Sequence, residues 1–159
     1  MEHKMRRSRQ QLTDEATKEI LRNGREMTLA LADGDGFPYA VPVNFVYDGN
    51  SIYFHSAPAG HKINTLSHNN RVSACIIDKG DIVPEKFTTY FRSAIIFGEA
   101  RFINDIDEKI KILEMLSEKY SPGIDPAAEI ARFINHVAII RIDIIRMTGK
   151  ESIELARAR

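Results

Sequence analysis

The chain has no tryptophan and a single cysteine, and its 22 Lys and Arg are balanced by 22 Asp and Glu. Each shortage removes a class of function. One thiol, Cys75 in the run RVSACIID, permits no internal disulfide, fits a reducing cytosol and reads as a buried, inert side chain. Zero net charge leaves no global field to attract nucleic acid or a membrane surface, and no nucleic-acid-binding motif is visible. No apolar run approaches the ~20 residues that span a bilayer. The start, MEHKMRRSRQQ, is charged and lacks the apolar stretch of a secretion signal, so a cytoplasmic location is expected. Its Arg6, Arg7 and Arg9 read as a solvated arm, with contact to an anion or a neighbouring subunit as the alternative. His55, His61, His68 and His136 are scattered without metal-ligand spacing, so no metal is expected. There is no G-x-G-x-x-G, no P-loop and no G-x-S-x-G.

What is present is ordinary globular composition over 159 residues. That length is most simply one domain, able to bury about 68–70% of its unfolded surface. The expected layout is an arm and helix over 1–24, a barrel with inserted helices over 25–152 and a tail over 153–159. Thr13 caps a helix through DEATKEILRN, with Asp14 and Glu15 at its positive end and Gly24 as its stop. REMTLALAD, YAVPVNFVYD and SIYFHSA follow as strands, joined by the turns GDGFP and DGN. A short helix over about 60–69 leads to RVSACIID, a loop KGDIVPEKF, and the long strand TTYFRSAIIFGEARFI, where Gly98 marks a bend or bulge. Ile106, Ile110, Leu113, Leu116 and Tyr120 recur at helical spacing and predict an amphipathic surface helix. SPGIDPAAEIARFI holds a loop and a second short helix, and HVAIIRIDIIRMTGKES is the last strand. Consecutive strands with helices inserted predict a mainly β fold: a six-stranded antiparallel barrel with peripheral helices.

Four stretches carry potential chemistry. In FHSAPAGHKINTL a strand hands over to a helix through small residues. The first amides of a helix are unpaired, Gly60 permits close backbone approach, and His61 and Lys62 add a ring donor and a fixed charge. Ser56 and Thr65 offer hydroxyls, and a phosphate monoester suits this cradle. The competing reading is an ordinary turn with a solvated lysine. In AVPVNFVYD, Pro42 offers no amide, so Val41, Val43 and Asn44 are available to the polar edge of a flat ligand, or the segment is simply an edge strand. Tyr90, Arg92 and Ser93 combine an aromatic face with an anion-binding fork, or form the outer face of a half-buried strand. Thr148 and Lys150, around Gly149, make a modest anion signal or a solvated turn.

Taken in order, MRRSRQQLTDEATKEIL, YAVPVNFVYDGNSIYFHSAPAGHKINTL, NNRVSACIID, TTYFRSAIIFGEARFI and VAIIRIDIIRMTGKES resemble the FMN-binding split-barrel superfamily. The nearest likeness is to the nitroimidazole-resistance-type branch of the pyridoxamine 5'-phosphate oxidase-like proteins. The resemblance implies a homodimer holding FMN in clefts between two six-stranded barrels. By that resemblance Ala40 to Asn44, with Val41, Pro42 and Val43 between them, run beside the isoalloxazine. Phe54, His55, Ser56 and Ala57 line the ribityl chain and ring, and His61 and Lys62 hold the phosphate. Tyr90, Arg92 and Ser93 reach the partner's flavin, and Thr148 and Lys150 complete the site. The implied activity is reduction of a small, planar, electron-poor substrate, with His61 and Tyr90 as candidate proton donors. The alternative is a flavin or phosphorylated-ligand binding module without turnover. The basic substrate-phosphate residues of a true vitamin B6 oxidase are not visible. KGDIVPEKFTTY and SPGIDPAAEIARF match no substrate pattern.

Overall fold

A computed structural model describes residues 4–158; the first three residues of the basic arm and Arg159 of the tail lie outside them. The seven strands are β1 (Glu26–Ala32), β2 (Pro38–Asn44), β3 (Val46–Tyr47), β4 (Ser51–Ser56), β5 (Arg71–Val83), β6 (Thr88–Ile103) and β7 (Ala138–Glu151). The helices are α1 (Asp14–Asn23), α2 (His61–His68), α3 (Ile106–Tyr120), α4 (Ala127–Phe133) and α5 (Ile153–Arg157). All strands join one antiparallel sheet in the order β2-β1-β5-β6-β7-β4-β3.

Seven strands arise from six chain segments. The predicted second strand breaks at Phe45, so that β2 pairs with β1 while β3 pairs with β4. These two pieces are the two edges of the sheet, and they are consecutive in the chain. The sheet therefore closes on itself at Phe45 into the expected barrel. Pro42, opposite Thr28, lies on the edge piece, the place in a sheet where proline is tolerated.

Alternation fills the barrel. In β1, Met27, Leu29 and Leu31 point inward and are buried. They meet Phe45, Ile52, Phe54, Ile76, Ile96, Ile140 and Ile142 in one core. Thr13 caps α1 by accepting the Ala16 amide at 3.2 Å, and α1 adds Ile20 and Leu21 to that core. Gly24 does end α1, but with φ −59°, outside the left-handed region. Its role is clearance: a Cβ there would lie 2.4 Å from Ile76 Cγ2. Gly98 sits beside an irregularity in which Ile145 is the extra residue of β7, and a Cβ would meet the Asp143 carbonyl oxygen at 2.5 Å.

Four expectations need correction. KGDIV is strand, not loop: after a bulge at Asp78, Lys79 to Val83 pair with Arg92 to Thr88. The predicted tail contains α5. Cys75 is half-buried, not buried, and partial burial pushes its thiol pKa up. The buried stripe of α3 centres on Ile112 and Leu116, while Ile106 is 47% exposed. That stripe packs with Val46, Tyr53 and Ile139 in a second, smaller core outside the barrel.

Candidate functional site

A cavity of about 680 Å³ lies between the closing seam of the barrel and the helices outside it. One wall is Pro42, Val43 and Asn44 of β2. A second is His55 and Ser56 at the end of β4, with Ala57 and then Lys62 of α2. The third is helical: Leu113, Leu116, Ser117 and Tyr120 of α3, with Ser121, then Glu129, Ile130 and Phe133 of α4, His136 and Val137.

The two sides are fastened at Phe45. The Tyr120 hydroxyl accepts the Phe45 amide at 2.9 Å, and its single proton has the carbonyl oxygens of Arg25 (2.5 Å) and Phe45 (2.8 Å) in reach. Lys119 Nζ donates to the Phe45 carbonyl at 2.9 Å and lies 4.1 Å from its ring centroid. Burial lowers the Lys119 pKa to about 8. The one residue that leaves both ladders thus has its backbone satisfied by the end of α3. That bond set fixes how far the helical wall stands from the strand wall.

Electrostatics divide the cavity. Lys62 is half-buried, makes no ion pair among the described residues, and has the Phe54 ring 5.9 Å away. Burial pushes its pKa below the ordinary lysine value. His55 is likewise held below the ordinary imidazole value, first by desolvation among the surrounding atoms and then by the Lys62 charge. Its outer surface is open to solvent, so the burial is one-sided. Gly60 precedes α2 at φ +122°, with no side-chain cap and no atom within 4 Å of where a Cβ would stand. The first amides of α2 thus have no side-chain cap, and Lys62 beside them makes no ion pair among the described residues, a donor set suited to a phosphate. Beyond it, the apolar helical wall and the edge strand with its missing amide leave room for a flat ring. The residues fit a phosphorylated planar ligand.

Not every predicted residue reaches this cavity. Pro42, Val43, Asn44, His55, Ser56, Ala57 and Lys62 do. Val41 packs against the core and Phe54 is fully buried within it. His61 faces a second cavity, where it pairs with Asp33 and stacks on Tyr39 with centroids 4.2 Å apart. Tyr90, Arg92, Ser93, Thr148 and Lys150 form a separate group on β6 and β7, with Ser93 opposite Lys150 and Ile95 opposite Thr148. There Tyr90 accepts from Lys86 Nζ at 2.9 Å, and Arg92 Nη2 pairs with buried Glu151 at 3.2 Å. Neither candidate proton donor, His61 or Tyr90, lines the first cavity; His55 and His136 do. The helical wall was missed because Leu113 and Leu116 repeat like any core stripe.

A closed antiparallel split barrel with a lysine-bearing cavity at its seam is the class that fold and site define. The family model described as Pyridoxamine 5'-phosphate oxidase matches residues 13–151, and the chain belongs to that family. Among solved structures it is similar to a candidate 5-nitroimidazole antibiotic resistance protein from Bacteroides thetaiotaomicron, at 27% identity and TM-score 0.75, covering 89% of this chain and 86% of that one. It is also similar to a FAD-binding protein from Mesorhizobium loti, at 25% identity and TM-score 0.65, covering 89% and 96%. The flavocytochrome Anf3 from Azotobacter vinelandii shares the fold at 23% identity and TM-score 0.78, covering 94% and 72%. No curated protein matches. Among the described residues no helix is long and apolar enough to cross a membrane, and no group of three or more metal-ligating side chains occurs.

Proposed function

We propose that the chain is an FMN-dependent oxidoreductase acting on a small, planar, electron-poor substrate in the cytoplasm. The observation that carries this reading is Lys62: a half-buried cation without a carboxylate partner among the described residues, at one end of a cavity whose other wall is the interrupted edge Pro42–Val43–Asn44. An uncompensated charge is costly in a partly desolvated place unless a ligand supplies its counterpart. A flavin phosphate supplies it. The names of the Bacteroides and Mesorhizobium relatives support both the ligand class and the substrate class.

Bound flavin supplies the two-electron redox chemistry. The protein's residues bind and orient. Lys62 and the first amides of α2 hold the phosphate. The backbone of Val43 and Asn44, with the Asn44 amide donating and accepting, meets the polar edge of the ring. Leu113, Leu116 and Phe133 exclude water from its face. His55, whose pKa is lowered toward neutrality of the ring, is the side chain here best placed to hold or release a proton near the substrate.

A homodimer belongs to the same proposal. Ile77, Ile95, Phe97 and Ile145 are exposed on β5, β6 and β7, which suits a second copy on that face. Tyr90, Arg92, Ser93, Thr148 and Lys150 would then approach the partner's ligand. The test is direct. Purified protein reconstituted with FMN should be yellow, bleach with a nicotinamide donor and regain colour with a nitroheteroaromatic acceptor. A yellow protein inert to both reagents would leave only a binding module, and one that cannot take up FMN would end the flavin reading. Light scattering at micromolar concentration should give a dimer mass.

A further inference from the structure

We propose, resting on the reading that a flavin phosphate meets Lys62, that the substrate of this cavity carries a cationic group and that Glu129 of α4 recognises it. Among the described residues that line the first cavity, Lys62 and Glu129 are the only ones of the Lys, Arg, Asp and Glu types. They stand on different walls, one in the first turn of α2 and the other on α4, and no ion pair joins them. Opposite charges that share a cavity without meeting are each available to a different part of what enters it. With a phosphate on Lys62, the Glu129 carboxylate is the charge left unmatched on the walls, and a cation is its complement.

Nothing within the described chain uses that carboxylate. Glu129 makes no hydrogen bond or ion pair among the described residues. The first amide of α4, that of Ala127, is already accepted by Asp125 Oδ1 at 3.0 Å, so Glu129 is not needed as its acceptor. Arg132, three residues on, turns to the Phe133 ring, 5.0 Å from its centroid, and forms no ion pair with Glu129. Glu129 and Phe133 are four apart and share one face of α4, and both border the cavity with Ile130. A flat ring lying against Ile130 and Phe133 therefore brings a short substituent to Glu129. A cationic substituent also withdraws electrons from the ring that bears it, which suits an acceptor of hydride. An anionic substituent meets the Glu129 charge and is disfavoured.

The test measures binding to the full FMN-loaded chain, by perturbation of the bound flavin's absorption, for three probes that differ in charge: para-nitrobenzylamine, para-nitrobenzyl alcohol and para-nitrobenzoate. The amine should bind about fivefold more tightly than the alcohol, the worth of one partly exposed charge pair, and the benzoate most weakly. Glu129→Gln should bring amine and alcohol within roughly twofold, with alcohol binding and FMN uptake unchanged. Glu129→Lys should make the benzoate the tightest of the three. Glu129 is exposed and α4 buries none of its residues, so both variants should fold. No binding of the amine, equal binding of the three probes, or a preference for the amine that survives either substitution overturns the assignment and leaves the flavin reading standing. Failure to take up FMN overturns both.

Discussion

Lys62 at the start of α2 and Arg92 on β6 are both half-buried cations in stretches that suggested a ligand, yet their surroundings are opposite. Arg92 sits opposite Glu151 in the β6–β7 ladder, 3.2 Å from its fully buried carboxylate and 3.7 Å from Asp78. Its charge is already matched, and it holds the ladder together. Lys62 makes no ion pair among the described residues; it has the Phe54 ring and His55 near it and an open cavity ahead. A partnered cation belongs to the structure, whereas an unpartnered one is available to whatever enters. The same contrast separates the two groups of predicted site residues. The β2–β4–α2 group borders a cavity, while the β6–β7 group lies outside that cavity and is bonded mainly within its own sheet.

Breaking this contrast starts at Lys62. Lys62→Ala should weaken FMN binding by about 30- to 100-fold, as loss of a desolvated charge pair does, while the melting temperature of the apo chain barely moves. Unchanged flavin affinity in a titration would remove the phosphate assignment. Arg92→Met should do the reverse. It removes one partner of the buried Glu151 carboxylate and should lower stability by about 2 kcal/mol, read from urea denaturation, while one protomer's affinity for FMN changes little. A normal denaturation midpoint would show that Arg92 is not structural.

Smaller effects sharpen the picture at the seam. Tyr120→Phe leaves the Phe45 amide without its acceptor and should cost about 1 kcal/mol. Because it loosens the Pro42–Asn44 wall, it should weaken FMN and lumichrome, which lacks the phosphate, equally; Lys62→Ala should spare lumichrome. The least effect is a pH dependence from His55. Its folded pKa lies below the ordinary 6.5, so between the two values the unfolded chain binds more protons. Apo stability should therefore fall as pH drops from 6.5 through the lower folded value, and His55→Gln should flatten that slope in melts across pH 5–7.

Pro42, Asn44, Gly60 and Lys62 were readable from the sequence because each acts through its own backbone or charge and its immediate neighbours. A proline has no N–H wherever it lies, and a glycine before a helix leaves the amides open. The helical wall was not readable. Leu113, Leu116 and Ile130 obey the same periodicity whether they cover a core or a cavity. Tyr120 and Lys119 serve Phe45 across some 75 positions, a relation no local pattern carries. The β5 extension was hidden because Lys79, Gly80 and Asp81 resemble a loop, while their pairing with β6 is decided by the ladder already formed beside them.

The amino-acid order alone determined that six apolar-alternating segments would close into a barrel with helices outside, since alternation and turn chemistry act over a few residues. It also set helix-start amides and a lysine side by side, because these need no distant help. Only the tertiary structure decided that Phe45 splits one strand across both edges, that His61 and Lys62 part to different cavities, and that Arg92 is matched by Glu151 while Lys62 stands open. Those outcomes depend on which distant atoms come within a few ångströms, and contact energies of that range exist only once the chain is folded.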